Sequence, residues 1–275
     1  MIKNIDFAQL YRDHLARSGR VFKTASDWDN KAANMRTKVL DSPYRTEFVR
    51  RVQCQPGDTV LDVGCGPGTI GLALAPAVRQ VYGLDYSQGM LDAMSQNAAD
   101  LQLTNVEPIL ASWEDDWSAV PLCDISVVSR ASIVADMDAA LDKLNQHTRK
   151  KVYMTQLVGG RFVSREIEEL LGREDRSFPD HMYILNLLYQ RNIHATLDYI
   201  ESPSRLAGCR SVEEFIEKVG WSFGDLSAED EQKIAAWYQH NPEYAQQGGE
   251  PMRWAFLSWT PPSDQVPHSA FPLVW

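Results

Sequence analysis

The spacing of apolar residues changes period along the chain, and each change marks an element. Phe7, Leu10, Tyr11 and Leu15 share one stripe at helical spacing, which predicts an amphipathic helix over residues 7–18. Residues 19–45 show no clear period but collect Phe22, Trp28 and Tyr44. A helix is expected from Pro43 to about Val52, with the proline in its first turn. Five short apolar runs then follow: Thr59–Val63, Gln80–Leu84, Val106–Ala111, Ile125–Ser129 and Lys151–Val158. Between them, Leu91, Met94, Ala98 and Leu101 align on one face, as do Met137, Leu141 and Leu144. Apolar runs alternating with amphipathic helices predict βαβ units and a parallel sheet covered on both faces, with right-handed crossovers.

After Gly160 this rhythm stops. Residues 161–250 read as mostly helical and polar, with one strand near Ala195–Glu201. Ser211-Val-Glu-Glu214 has the pattern of a capping box and Ser227-Ala-Glu-Asp230 marks another helix start. Met252–Thr260 reads as a final strand, stopped by Pro261-Pro262. The expected division is a helical lid over 1–45, a core over 46–160, a helical insert or cap with the last strands over 161–262, and a tail over 263–275. All of it is expected to form one structural domain. The expected class is α/β: a doubly wound, mostly parallel, Rossmann-like sheet.

Composition narrows the range of partners. The 275-residue chain carries a formal net charge of −10, a field that repels nucleic acid and anionic membranes. Neither is an expected partner. Cys54, Cys65, Cys123 and Cys209 stand far apart with no Cys-x-x-Cys pair, so no zinc pattern or disulfide framework follows and reduced thiols in the cytoplasm are expected. Met1–Arg20 has no apolar run resembling a signal peptide, and no stretch of about 18 apolar residues predicts a membrane span. His181 and His194 lack a third ligand at a recognisable spacing, so no metal is expected.

The chemistry concentrates in Val60-Leu-Asp-Val-Gly-Cys-Gly-Pro-Gly-Thr-Ile-Gly71. A strand feeds a tight turn that opens a helix. Glycine suits such a turn because it adopts positive φ and lets a ligand approach the backbone. A helix N-terminus also offers free N–H groups. Loops at the carboxyl end of the first strand are where open α/β sheets bind ligands. Gly66-Pro-Gly-Thr-Ile-Gly71 satisfies Gly-x-Gly-x-x-Gly, so an NAD-dependent oxidoreductase is one reading. Asp62, two residues before Gly64, tilts against it, because a dinucleotide-binding strand is usually apolar there.

Asp62-Val-Gly-Cys-Gly-Pro-Gly68 resembles motif I of the class I S-adenosylmethionine-dependent methyltransferases, most strongly over residues 45–158. The resemblance implies a seven-stranded sheet whose last strand is antiparallel, and S-adenosylmethionine as cofactor. It implies that Gly64, Gly66 and Gly68 wrap the amino-acid part of the cofactor while Asp62 helps to hold its amino group. Asp85, 17 residues after Gly68 at the end of the second strand, is expected to accept two charge-assisted hydrogen bonds from ribose hydroxyls. Ser87 is expected to cap the following helix. Tyr86, Met90 and Ser129 complete the expected cofactor set, with Met90 against the adenine. Many members of the family read Gly-Asp-Ala at the end of the third strand; this chain has Ala111-Ser112-Trp113. Ser112 would then take the adenine amino group without a charge, and the Trp113 backbone would reach a ring nitrogen.

Ser129-Arg-Ala-Ser132 replaces the Asn/Asp-Pro-Pro-aromatic motif of amino-methylating DNA enzymes, which argues against methylation of a base. Arg130 is expected at the mouth of the site, pairing with an acceptor carboxylate or phosphate or with a local acid such as Asp136. Trp28 and Tyr44, from a lid over the cofactor, and Tyr183 and Asn186, from an apolar helix in the insert, are the other candidates to face the acceptor. Methyl transfer by in-line displacement needs alignment more than acid–base chemistry, so no fixed catalytic dyad is expected. The expected activity is methylation of a small molecule by a monomer or homodimer. A cofactor-binding module without catalysis is the other alternative.

Overall fold

The computed structural model describes residues 2–19, 22–38, 42–173, 176–224 and 226–262; the expected tail over 263–275 lies outside them. Helix α1 (Phe7–Ser18) starts at Asp6, whose carboxylate accepts from the Gln9 amide, and ends at Gly19 in the left-handed conformation. Helix α2 (Ala25–Lys38) follows, and α3 (Pro43–Arg51) has its proline in the first turn and Ser42 as its cap. Then come β1 (Thr59–Val63), α4 (Gly71–Leu74), β2 (Gln80–Asp85), α5 (Gln88–Asp100), β3 (Val106–Leu110), β4 (Cys123–Val128), α6 (Met137–Gln146) and β5 (Thr148–Leu157). Beyond β5 lie α7 (Arg165–Leu170), α8 (His181–Gln190), β6 (Thr196–Ser202), α9 (Val212–Phe223), α10 (Ala228–His240), α11 (Pro242–Gln247) and β7 (Met252–Trp259).

The strands form one sheet in the order β3-β2-β1-β4-β5-β7-β6. Strands β1 to β5 pair in parallel. The last strand in sequence, β7, runs antiparallel to both β5 and β6. Every residue of β1 is buried, as a central strand covered on both faces requires. Leu61 and Val63 join a core with Tyr11 and Leu15 of α1, Leu141 of α6 and Ile184 and Leu188 of α8. Val60 faces the opposite core, with Phe48 of α3, Leu72 of α4 and Leu91 and Met94 of α5. The strand order reverses between β1 and its neighbours β2 and β4, so their carboxyl ends frame the crevice where α/β sheets take ligands.

The helices expected after β5 divide between two cores. Helix α8 joins the main core, whereas Ile167 of α7, Phe215 and Val219 of α9, Ile234 of α10 and Ala245 of α11 build a separate small core. That second core belongs to the segment the sequence reads as an insert or cap. Helix α2 has its own seam: Ala32, with Trp28 and Met35 at helical spacing, packs on Met90 and Ala93 of α5. Among the described residues no helix is long and apolar enough to cross a membrane.

Candidate active site

The glycine loop is fixed to the end of β2 through its own backbone. The Gly64 and Cys65 amides both donate to the Leu84 carbonyl, at 2.7 and 3.1 Å. Gly64, Gly66 and Gly68 have φ of +67°, +53° and +87°, the region L side chains avoid. Their surroundings differ. A Cβ at Gly64 would lie 2.2 Å from the Ala131 Cβ, and one at Gly68 would lie 2.5 Å from Leu72 Cγ. A Cβ at Gly66 would meet no atom within 4 Å. Gly64 and Gly68 therefore serve close packing, and Gly66 alone borders open space.

Asp85 stands beside that space. Its Oδ2 accepts from the Gly66 amide at 2.9 Å and its Oδ1 from the Ser87 amide at 3.0 Å. Burial pushes its carboxyl above the usual range, while the amides of Ser87, Gly66 and Tyr86 pull the other way. Two carboxylate oxygens offer four lone-pair directions, so these three amides leave Asp85 capacity to accept from a ligand. Ser87 caps α5 as the sequence implied, its hydroxyl accepting from the Met90 amide. The Ala111 amide donates to the Asp85 carbonyl at 3.0 Å, which sets the turn after β3 directly against this strand end.

Asp62 is turned inward. It is 1% exposed, and its Oδ2 accepts from the Gly71 amide at 2.8 Å, anchoring the first turn of α4. Burial raises its carboxyl to about 7, with the nearby Asp85 charge adding to the rise. Met90 lies in the α2–α5 seam at 2% exposure. The Ser112 hydroxyl accepts from the Glu114 and Asp115 amides, so it holds its own turn. The Trp113 ring stacks on Trp117 at 5.4 Å, and its indole N–H donates to the Ala131 carbonyl at 3.1 Å, linking the turn after β3 to the one after β4.

A second cluster forms at the carboxyl ends of β4 and β5. The Tyr44 hydroxyl shares hydrogen bonds with Ser129 Oγ at 3.0 Å and Thr155 Oγ1 at 2.7 Å. Burial pushes that phenol up. Arg130 follows with a φ of +57°, its amide donating to Thr155 Oγ1 at 3.1 Å. Its guanidinium lies 3.8 Å from the centre of the Tyr44 ring and 5.8 Å from that of Trp254. The local acid considered for Arg130, Asp136, instead pairs with Arg12 at 3.2 Å. An exposed arginine in left-handed backbone, stacked on an aromatic face and with no acidic partner among the described residues, is free to meet an anion.

The segment expected as a lid contacts the end of β2 and the start of α5. Asp29 of α2 accepts from Ser87 Oγ at 2.6 Å and from the Gly89 amide at 2.8 Å. The Tyr86 hydroxyl donates to the Lys23 carbonyl at 2.9 Å. Trp28 meets Trp221 of α9 edge-on at 5.5 Å, so the lid touches both α5 and the cap. The structure thus brings Asp85, the glycines, Tyr86, Ser129, Arg130, Trp28 and Tyr44 to one edge of the sheet. It commits Tyr183 and Asn186 elsewhere: Tyr183 bonds His14 Nδ1 on α1 at 3.1 Å, and Asn186 folds back onto the Met182 carbonyl. Sequence reasoning missed Thr155, which carries no motif and reaches the site only through tertiary packing, and gave no role of its own to Asp29, which lies in Ser26-Asp-Trp-Asp-Asn30 of the expected lid.

Residues 55–199 match the family model described as "Methyltransferase domain". The chain is 35% identical over 263 residues to an uncharacterized protein of Haemophilus influenzae, covering 94% of this chain and 97% of that one. It is 37% identical over 79 residues to a ubiquinone biosynthesis O-methyltransferase of Coxiella burnetii, 29% of this chain and 34% of that enzyme. Among solved structures it resembles coclaurine N-methyltransferase bound to N-methylheliamine and S-adenosylhomocysteine, with a TM-score of 0.52, 16% identity, and coverage of 93% and 94% of the two chains. The last likeness is one of fold.

Proposed function

The chain belongs to the class I S-adenosylmethionine-dependent methyltransferases, and on that premise we propose that it methylates a small molecule at the carboxyl edge of β1, β4 and β5. The observation that carries this reading is the open space at Gly66 beside the Asp85 carboxylate. The cradle fits a nucleoside whose far end needs close backbone approach. Asp85 would accept from the ribose hydroxyls, and the Gly64–Gly68 backbone would lie along the amino-acid part. Asp62 would act through the Gly71 amide, holding the α4 N-terminus in place. Tyr86, Met90, Ser112, Trp113 and Ser129 would border the remainder, Met90 and Ser112 by shaping the α5 seam and the turn after β3. Bound there, the cofactor supplies a methyl group already activated by a positive sulfur.

The chain's own residues then have three tasks. The Ser129–Arg130 turn, braced by Tyr44 and Thr155, positions the acceptor. Alignment of this kind lowers a barrier by roughly 7–11 kcal/mol in well-oriented reactions. Helix α2 and the cap shut out water, which strengthens electrostatic interactions inside. Arg130, with no acidic partner among the described residues, orients the acceptor through a polar or anionic group. The bound small molecule in the coclaurine N-methyltransferase structure and the net charge of −10 support a metabolite over nucleic acid. Calorimetric titration tests the reading: S-adenosylhomocysteine binds and NADH does not. Binding of NADH alone would return the glycine loop to the oxidoreductase reading.

A further inference from the structure

Arg205 sits in the turn between β6 and α9, in a segment that no sequence motif marks. The turn is rigid. Ser204 closes it, its hydroxyl accepting from the Leu206 amide at 3.2 Å and its carbonyl from the Ala207 amide at 3.0 Å. Leu206 is fully buried in the cap core. Gly248, with φ of +76°, lies so close that a Cβ there would stand 2.1 Å from the Ala207 nitrogen. The Gly208 amide donates to the Gln246 carbonyl at 2.9 Å. Arg205 is therefore held in place by a backbone that has little room to move.

Its side chain is mostly buried, and among the described residues no acid pairs with it. Burial alone pulls its guanidinium down to about 10, with no neighbouring charge or hydrogen bond offsetting the effect. Its contact is the face of Trp221, 5.8 Å from the ring centre. Two more cations sit on the same ring: Lys23 at 4.4 Å and Lys31 at 4.9 Å. Of these cations only Lys31 forms a salt bridge among the described residues, with Glu217 at 2.9 Å, while Asp27 lies near enough to Lys23 for its carboxyl to be lowered by that charge. A buried charge without a partner is strongly unfavourable, and here it is retained in a chain with ten more acids than bases.

The place is as telling as the charge. Trp221 touches Trp28 of the lid, and the Lys23 carbonyl is held by Tyr86, the residue next to Asp85. On the other side, Trp254 donates to Ser202 Oγ at 3.2 Å, at the end of the strand that leads to Arg205, and lies under Arg130. Cap and lid thus meet at Trp221, where Arg205 and Lys23 have no salt-bridge partner among the described residues.

We propose that the methyl acceptor carries a carboxylate or phosphate group, and that Arg205 receives it at the junction of cap and lid. The inference rests on the methyltransferase reading and specifies its substrate class. Guanidinium forks suit both oxyanions, Lys23 adds a second positive charge, and the Trp221 face holds the cations in place. Arrival of the anion neutralises the buried charge and draws the Lys23 end of the lid toward the fixed Arg205 turn, so that acceptor binding and site closure become one event.

The test uses the full chain saturated with S-adenosylhomocysteine. Inorganic phosphate and succinate are titrated separately at constant ionic strength, with tryptophan fluorescence as the readout. The wild type is expected to saturate with at least one probe below about 20 mM, and R205Q to bind it at least about tenfold more weakly, while R205K recovers part of the loss. Saturation by phosphate alone assigns a phosphoryl group; saturation by succinate alone assigns a carboxylate. R205Q is expected to keep S-adenosylhomocysteine affinity and to melt no lower than the wild type, because it removes an unpaired charge. The proposal is overturned by a wild type that saturates with neither probe, or by an equal response in R205Q. A lower melting point for R205Q would make the role structural. Weaker S-adenosylhomocysteine binding by R205Q would reassign Arg205 to the cofactor's own carboxylate. Failure of the wild type to bind S-adenosylhomocysteine at all would instead remove the underlying methyltransferase reading.

Discussion

Alanine at Gly66 and alanine at Gly64 make the same chemical change two residues apart and are expected to have opposite consequences. At Gly66 the φ of +53° imposes left-handed strain on any L residue, about 1–2 kcal/mol. The smaller entropy of the unfolded chain offsets about 0.4–1 kcal/mol of that. The new methyl meets nothing within 4 Å, so no packing penalty is added. The net cost is about 1 kcal/mol, a fall of about 2–4 °C in melting temperature for a domain of this size. At Gly64 the same strain applies, but the methyl would stand 2.2 Å from the Ala131 Cβ. The turn after β4 has to give way, and overpacking of this kind adds about 1–3 kcal/mol. G64A is therefore expected to lose about 2–4 kcal/mol in all. Binding ranks them the other way: the G66A methyl fills the space the cofactor needs and weakens S-adenosylhomocysteine by at least about tenfold. Thermal unfolding and calorimetry on both variants check the pair. A G66A protein that binds as well as wild type would refute the assignment of that space to the cofactor. A G64A protein as stable as G66A would refute the packing argument.

Three further outcomes follow from the same geometry. D85A is expected to lose about 1.5–3 kcal/mol of S-adenosylhomocysteine affinity, as for a hydrogen bond to a charged group, and to melt lower because the Gly66 and Ser87 amides lose their acceptor; calorimetry and thermal unfolding separate the two effects. Asp62, raised to about 7 by burial, keeps a proton that the unfolded chain releases near pH 4, so it makes stability fall as pH rises from about 4 to 7. D62N retains an acceptor for the Gly71 amide and is expected to flatten that part of the urea-denaturation profile; an unchanged slope would show that Asp62 is not its source. Y44F leaves Ser129 and Thr155 without their shared hydroxyl and is expected to lose about 1–2 kcal/mol of stability, with the Arg130 stacking surface kept; a wild-type melting temperature would place little weight on that cluster.

The sheet was legible because its central strands, β1 and β4 above all, are buried on both faces and so read as continuous apolar runs between amphipathic helices. The glycine loop and Asp85 were legible because both the spacing and the residue types are constrained where a strand turns into a helix. The last strand, Met252–Trp259, showed in its apolar run, and its antiparallel direction came from the family resemblance. The lid was expected to be helical, but the bounds of α2 were not read, since only Trp28, Ala32 and Met35 of its 14 residues pack in the seam with α5; their spacing of four and three was the available signal, masked by polar neighbours. Ser112 looked like a ligand group because its position matched a family aspartate, yet a hydroxyl two residues from free amides closes a local turn instead. Tyr183 and Asn186 lie on a helix whose apolar face is core, and nothing in a single helix's pattern tells which neighbour its flanks will meet. Arg205 left no trace in the sequence, because its isolation from acids is a property of the folded cap.

A crystal structure with S-adenosylhomocysteine tests the central claim most directly. The account predicts the ribose hydroxyls within about 2.5–3.0 Å of the two Asp85 oxygens and the ligand passing over Gly66 with no side chain between. A ligand seated away from Asp85, or a Gly66 still facing solvent with the ligand bound, would contradict it.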